Sequence, residues 1–313
     1  MSNLVIDAAA AEVVRALAAA GTPSVILKGA ALADWYPQDL LRTYVDADVW
    51  IPPEAQATAS AILSGLRFEH LAEQLDPAAL PAWFENHATT WFRSSDGSKI
   101  DLHRKLQGIH KAPQAVWARL WPETEMFELA DREARRLCTP ARALYVTLHA
   151  AGHGADDTSA QRHLHAALRA ASLESWKRAA GLARELDATD MFSTGLRLLP
   201  AGASLADELG LPAVSSVEAA LYTITAPPVA FGLQQFARAR GAERLRVLVR
   251  KFFPPPSFIR HWWAPAARGP LMLAVGYAYR PLWILRNAPA GWRAWRAARG
   301  RVRDQERAAK GSR

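Results

Sequence analysis

The chain has 313 residues, half of them apolar, a single cysteine and a formal net charge of +8. This length holds one large domain or two modest ones with a sizeable core. A lone Cys138 excludes an intramolecular disulfide framework or a cysteine-rich zinc site and fits a reducing cytoplasm. Met1 to Leu4 show no basic stretch followed by an apolar run, so no signal peptide is expected. The longest apolar run near the end, 271–279, is too short to span a bilayer.

Residues 1–20 read as an Ala-rich helix with Val5, Val13, Val14 and Leu17 on its apolar side. Val25 to Leu27 form a short buried strand that ends at Lys28-Gly29 and passes into a helical stretch over 30–36. A second strand covers 45–51. Pro52-Pro53 stops it and opens a helix reaching about Leu66. Asp96-Gly97 predicts the turn of a hairpin over 88–103, and Ala130-Asp131 that of another over 125–137. From Thr139, a candidate N-cap, the pattern becomes helical, near 140–152, 159–171, 173–186 and 190–199. A helix over 229–252 follows Pro227-Pro228, and two more helical stretches end near Arg303. Strands followed by helices make this an α+β chain. Its expected units are 1–138, 139–226 and 227–303, with 304–313 disordered.

Three short motifs carry chemistry. Asp46 and Asp48 are separated by one residue on a strand, so both carboxylates project from the same face. Their mutual repulsion is relieved by a cation, and hard oxygen ligands suit Mg²⁺. Read alone, the same pair is also a solvated strand face. Lys28-Gly29 ends a strand before a helical stretch, a geometry that turns backbone N–H groups toward an anion, with Lys28 adding charge. Asp101 and His103 share one face of a later strand, where a third acid would complete a metal triad or take a proton from a hydroxyl.

Taken together, Leu27-Lys28-Gly29, Arg42-x-x-x-Asp46-x-Asp48 and Asp101-Leu102-His103 resemble the polymerase-β-like nucleotidyltransferase superfamily. Within it they are similar to a bacterial branch described simply as nucleotidyltransferase family proteins. The pair His149-x-x-x-His153 resembles a helical histidine segment of that branch. The likeness touches most of the chain, but its specificity lies in residues 24–103. Two positions depart from the pattern. Ala30 follows Gly29 where many superfamily members have a serine hydroxyl, and the run 162–170 lacks the acid that branch members often carry there.

The resemblance implies a small mixed sheet flanked by helices, followed by an all-helical C-terminal region. It implies a Mg²⁺-dependent enzyme, with Mn²⁺ as the alternative ion, that moves a nucleoside monophosphate from a nucleoside triphosphate such as ATP. Asp46, Asp48 and Asp101 would be the catalytic metal ligands. Lys28 and the Gly29 backbone would hold the β- and γ-phosphates, Arg42 would pair with Asp46 or the nucleotide, and His103 would orient Asp101. The acceptor would be a hydroxyl on a small metabolite or a peptide, as in natural-product or modified-peptide biosynthesis. Two other readings stay open: a non-catalytic nucleotide-binding or regulatory module, and toxin–antitoxin-type nucleotidylation of a protein or tRNA.

His149 and His153 share one helix face, for which a packing or substrate-facing role is preferred over zinc, while His163 and His165 read as surface. Residues 231–313 hold eighteen Lys/Arg against three acids, a balance of +15, while the first 230 residues carry −7. Trp262, Trp263, Trp283, Trp292 and Trp295 are interleaved with these arginines. Such a tail contacts an anionic membrane at the inner face, binds nucleic acid, or packs on the acidic body of its own chain. Lipid is preferred to nucleic acid because no nucleic-acid-binding module is recognisable.

Overall fold

Period-two alternation in the strands builds a sheet with two differently furnished faces. The computed structural model describes residues 3–37, 44–70, 88–155, 157–213, 216–224 and 226–311. Its strands are β1 (Val25–Ile26), β2 (Ala47–Trp50), β3 (Glu69–His70), β4 (Ala88–Phe92), β5 (Lys99–His103), β6 (Thr124–Glu128) and β7 (Glu133–Leu137). They form a seven-stranded sheet in the order β3-β4-β5-β2-β1-β7-β6. The pairs β2–β5 and β1–β7 are parallel and the other four antiparallel. Both expected hairpins are present. Gly97 takes a positive φ of 74°, and Ala130 and Asp131 take φ of 48° and 58°, the pair of left-handed residues that a two-residue hairpin turn requires.

On one face, Ile26, Val49, Ile51, Ile100 and Leu102 are buried against α1 (Asn3–Ala19) and α2 (Gln56–Gly65). Ile6, Val13 and Leu17 are the inward residues of α1, recurring at helical spacing. On the other face, Val25, Leu27, Trp50 and Leu137 join a core with α4 (Thr139–His153), α5 (Thr158–Ala170), α6 (Leu173–Glu185) and α7 (Thr189–Leu196). One core thus crosses the expected 138/139 boundary. Helix α4 is buried on nearly every side, and α7 reaches its backbone through Gly195, where a Cβ would stand 2.2 Å from the Thr147 carbonyl oxygen.

Several local expectations change. A short helix α3 (Pro113–Leu120), with Pro113 at its start, went unread. Residues Gly29–Trp35 form a 3₁₀ helix, confined between a left-handed Gly29 and Pro37. The cap of α4 is Cys138 rather than Thr139, which puts Pro140 in the first turn. The stretch 190–199 ends early, because Pro200 starts a separate helix, α8 (Pro200–Glu208). After α9 (Val217–Thr223), the expected helix 229–252 divides into α10 (Pro228–Arg238) and α11 (Ala242–Phe252) at Gly241, whose φ is +51°.

After α12 (Pro256–Trp262), the final stretches merge into one helix, α13 (Pro270–Gly311). It continues through Pro281 and Pro289, each of which removes one N–H while the flanking turns stay packed on α9, α10 and α12. It also runs past Arg303, where disorder was expected. Gln305, Glu306 and Ala308 are good helix formers, and Arg307 pairs with Asp304 one turn earlier. Trp295 and Ala298 of α13 are buried with Ala220, Leu221 and Ala230, and Trp295 Nε1 donates to Gln234 Oε1 at 2.9 Å. Among the described residues, no helix is long and apolar enough to cross a membrane.

Candidate functional site

Strand β1 delivers Lys28 to the sheet's end in an extended conformation, and Gly29 then turns the chain at φ +60°. A side chain at Gly29 would be strained there and would meet the Tyr44 ring at 3.4 Å. Tyr44 is itself held by Asp7 of α1, whose two carboxylate oxygens accept from its hydroxyl at 2.6 Å. Register places Asp48 directly beside Asp101, and Trp50 beside His103, on the parallel strands β2 and β5. The shared face of Asp46 and Asp48, and of Asp101 and His103, is therefore a consequence of period two in two aligned strands.

The charges are tightly interlocked. Lys28 Nζ stands 3.0 Å from Asp48 Oδ1, and His103 Nε2 stands 2.8 Å from the same oxygen. His103 thus holds Asp48, not Asp101 as expected, because its side chain reaches across to β2. Asp101 instead accepts from Thr90 Oγ1 at 2.6 Å, its register partner on β4. Lys99 approaches Asp46 at 3.5 Å. Burial alone would raise the Asp48 carboxyl, but Lys28 and His103 outweigh it and hold it well below the usual range. Asp46 goes the other way: burial first, then the charges of Asp48 and Asp101, push it up. Burial would lower the Lys28 ammonium, and Asp48 reverses that and raises it.

A cleft of about 520 Å³ opens on this face, lined on the sheet side by Lys28, Gly29, Tyr44, Asp46 and Asp48. Asp101 and His103 stand beside Asp48 without lining it. The opposite wall comes from α4 and α5, with His149, His153, Asp157, Arg162 and His163. His149 Nε2 lies 3.2 Å from Lys28 Nζ. Burial, then the Lys28 charge, drives His149 well below its ordinary value, so it is neutral and accepts from the ammonium. Its ring stacks on His153 at 4.2 Å, and His153 Nδ1 meets Asp157 Oδ2 at 2.7 Å. Tyr36 OH and His163 Nδ1 are 2.6 Å apart, which corrects the surface reading of His163, while His165 is exposed.

The sequence reading did not find Tyr36, Tyr44, Asp157 or Arg162. The four-residue steps His149, His153, Asp157 were a usable signal for Asp157. Tyr36 and Tyr44 carry none, since their role arises from contacts with distant helices. Arg42 lies outside the described residues.

As placed, Asp48 commits Oδ1 to Lys28 and His103, and among the described residues no three His, Cys, Asp or Glu side chains gather as a closed metal cluster. The chemistry of the set nevertheless suits a divalent ion. Three carboxylates on two aligned strands leave Asp46 destabilised by its acidic neighbours, an excess of negative charge that such an ion would relieve.

Comparison with known proteins adds the class. No curated protein matches the sequence. The chain is similar to the solution structure of the antibiotic-resistance factor ANT(2'')-Ia, at 17% identity and a TM-score of 0.39, over 56% of this chain and 89% of that one. It is also similar to an antigenic nucleotidyltransferase-like protein from Paracoccidioides brasiliensis, at 13% identity and a TM-score of 0.34, over 58% of this chain and 87% of that one. Neither likeness is close enough to transfer a substrate. Residues 1–201, which carry the whole cleft, match the family described as uncharacterised nucleotidyltransferase. The chain belongs to that family of nucleotidyltransferases.

Proposed function

We propose that this enzyme transfers a nucleoside monophosphate from a nucleoside triphosphate to a hydroxyl acceptor in the cleft between the sheet and α4–α5. The observation that carries this reading is the joint lining of one cleft by the Lys28-Gly29 turn and the Asp46–Asp48 pair. Asp46, Asp48 and Asp101 would hold Mg²⁺, with Mn²⁺ as the alternative. When bound, the ion neutralises charge that builds on the triphosphate.

The chain's own residues support the remaining roles. Gly29, with no Cβ, lets a phosphate approach the backbone, and the Lys28 ammonium beside it supplies positive charge. With Ala30 next in line, no hydroxyl replaces that backbone contact. His103 fixes the Asp48 carboxylate, and Thr90 fixes Asp101. Lys28 is shared between Asp48 and His149, which holds its ammonium at the cleft wall, where it would meet a bound phosphate. The α4–α5 wall, polar and rich in rings, suits the acceptor, which we assign to small hydroxylated metabolites or peptides. The uncompensated charge of residues 231–313 supports peripheral contact with an anionic membrane, which flotation with liposomes tests.

Incubation of the full chain with labelled ATP, CTP, GTP and UTP and Mg²⁺ tests the reading against Asp46→Ala/Asp48→Ala. By the wild type alone, metal-dependent nucleotide binding is expected, with pyrophosphate released when an added hydroxyl acceptor, or slowly water in its place, takes the nucleotidyl group. Binding that ignores both acids and the metal, without turnover, would establish the non-catalytic nucleotide-binding module instead.

A further inference from the structure

A second cavity, far from the acids in sequence, lies among α9 to α13. It has a volume of about 520 Å³, within the roughly 300–1,000 Å³ typical of small-molecule sites. The break at Ala239–Gly241 folds α11 back toward α10, and α12 and α13 close the other sides. Its walls are mainly apolar, including Val229, Phe236, Leu248, Phe252 and Ile284. Helix α11 has no buried residue at all, and Leu245, Leu248 and Val249 are each at least 41% exposed. Such an apolar set gains by covering itself with hydrocarbon.

The cavity's charged groups are of one sign, beside the neutral Tyr222 and Gln235. Arg280 and Lys251 line it, and no acid does. Arg280 is only 7% exposed. Its Nε donates to the Lys251 carbonyl at 2.9 Å, and its guanidinium lies over Phe258 and Trp262 at 4.6 and 4.7 Å. Among the described residues it has no carboxylate partner, and burial lowers its pKa to about 10. A buried cation of this kind is costly unless an anion completes it. Elsewhere in residues 231–313 the described ion pairs use Glu243 and Asp304, and only Arg238 reaches an acid of the body, Glu218. Among the described residues, therefore, no acid supplies Arg280 with a counter-charge.

We propose that this cavity binds a single-chain amphiphile with an anionic head, a long-chain fatty acid in its simplest form, its hydrocarbon among α10, α11 and α13 and its carboxylate on Arg280. The two terminal nitrogens of a guanidinium match a carboxylate in a fork, and the aromatic rings behind Arg280 hold that fork in place. A pocket of this volume takes one chain rather than a bilayer surface, so the ligand enters as a monomer.

Titration of full-length protein with laurate, dodecanol and dodecyl phosphate, below their aggregation limits, tests the proposal. Vesicles of phosphatidylglycerol form the fourth arm. Saturable binding of one laurate per chain, at least tenfold tighter than dodecanol, is expected. Arg280→Gln should remove that preference, leaving acid and alcohol alike. Gly232→Leu fills the cavity from α10, where a Cβ meets only the Lys251 stem at 3.8 Å, and should abolish binding of both while leaving the helix more favoured. Unchanged thermal midpoints would show that both variants fold. Preference for dodecyl phosphate over laurate would reassign the head to a phosphate and overturn the carboxylate. Non-saturable binding, insensitivity to both variants, or binding to vesicles alone would overturn the site.

Discussion

Removing the Lys28 ammonium tests how the cleft balances its charges. Lys28→Met keeps most of the hydrocarbon stem and leaves Asp48, whose side chain is 3% exposed, with His103 as its remaining partner. Stripping one member from a buried ion pair costs about 3–5 kcal/mol. The retained His103 contact and the 19% exposure of Lys28 place the expected loss at the lower end, about 3 kcal/mol. Adding Asp48→Asn removes the stranded charge, so the double variant should be more stable than the sum of the two single losses allows. The pH dependence follows from the direction of the Asp48 shift. Its folded pKa lies below the unfolded value of 3.8, so its contribution is present above that value and is lost as the pH falls through the folded pKa. Lys28, shifted up, contributes fully below 10.5 and so stays constant between pH 3 and 7. Without Lys28 the depression of Asp48 shrinks, and the variant's deficit should be level from pH 7 to 5 and shrink as the pH falls below 3.8. Urea unfolding followed by tryptophan fluorescence at pH 7, 5 and 3 measures this. Additive losses in the double variant, or a deficit that does not move with pH, would refute the coupling.

Asp46→Asn should leave stability unchanged or higher at pH 7, since it relieves repulsion from Asp48 and Asp101, while nucleotidyl transfer is lost; thermal melts beside the labelled-nucleotide assay separate the two effects. Gly29→Ala, at φ +60° and against Tyr44, should cost about 1–2 kcal/mol and raise the apparent KM for the triphosphate, read from initial rates. Trp295→Ala should cost about 3–5 kcal/mol and loosen α13 from α9 and α10, seen as faster hydrogen exchange in those three helices with α4 unaffected.

The candidate site's face was legible because its logic is local. Asp46 and Asp48 lie one residue apart, so a strand of any sheet would present them together, and Asp96-Gly97 announces the hairpin that carries Asp101. Lys28-Gly29 is equally local, a strand end and a residue without a Cβ. Partner choice was not local. Nothing near His103 in sequence says that it will bond Asp48 rather than Asp101, because that depends on the parallel register of β2 with β5. His163 looked like a surface residue on α5 until Tyr36, 127 residues away, came within 2.6 Å.

The same division holds in the tail. Its charge excess and tryptophans are plain from composition, and so is the helical pattern. Whether Pro281 and Pro289 end a helix was decided by packing, since a proline's lost hydrogen bond is a fixed local cost and the contacts that offset it come from α9, α10 and α12. The sequence by itself determined which chemical groups the protein owns and on which strand face or turn they sit, because backbone periodicity is local. Only the tertiary structure decided which of those groups share an oxygen, which helix walls the cleft, and which arginine is buried against aromatic rings, because burial and long-range pairing exist only once distant segments meet.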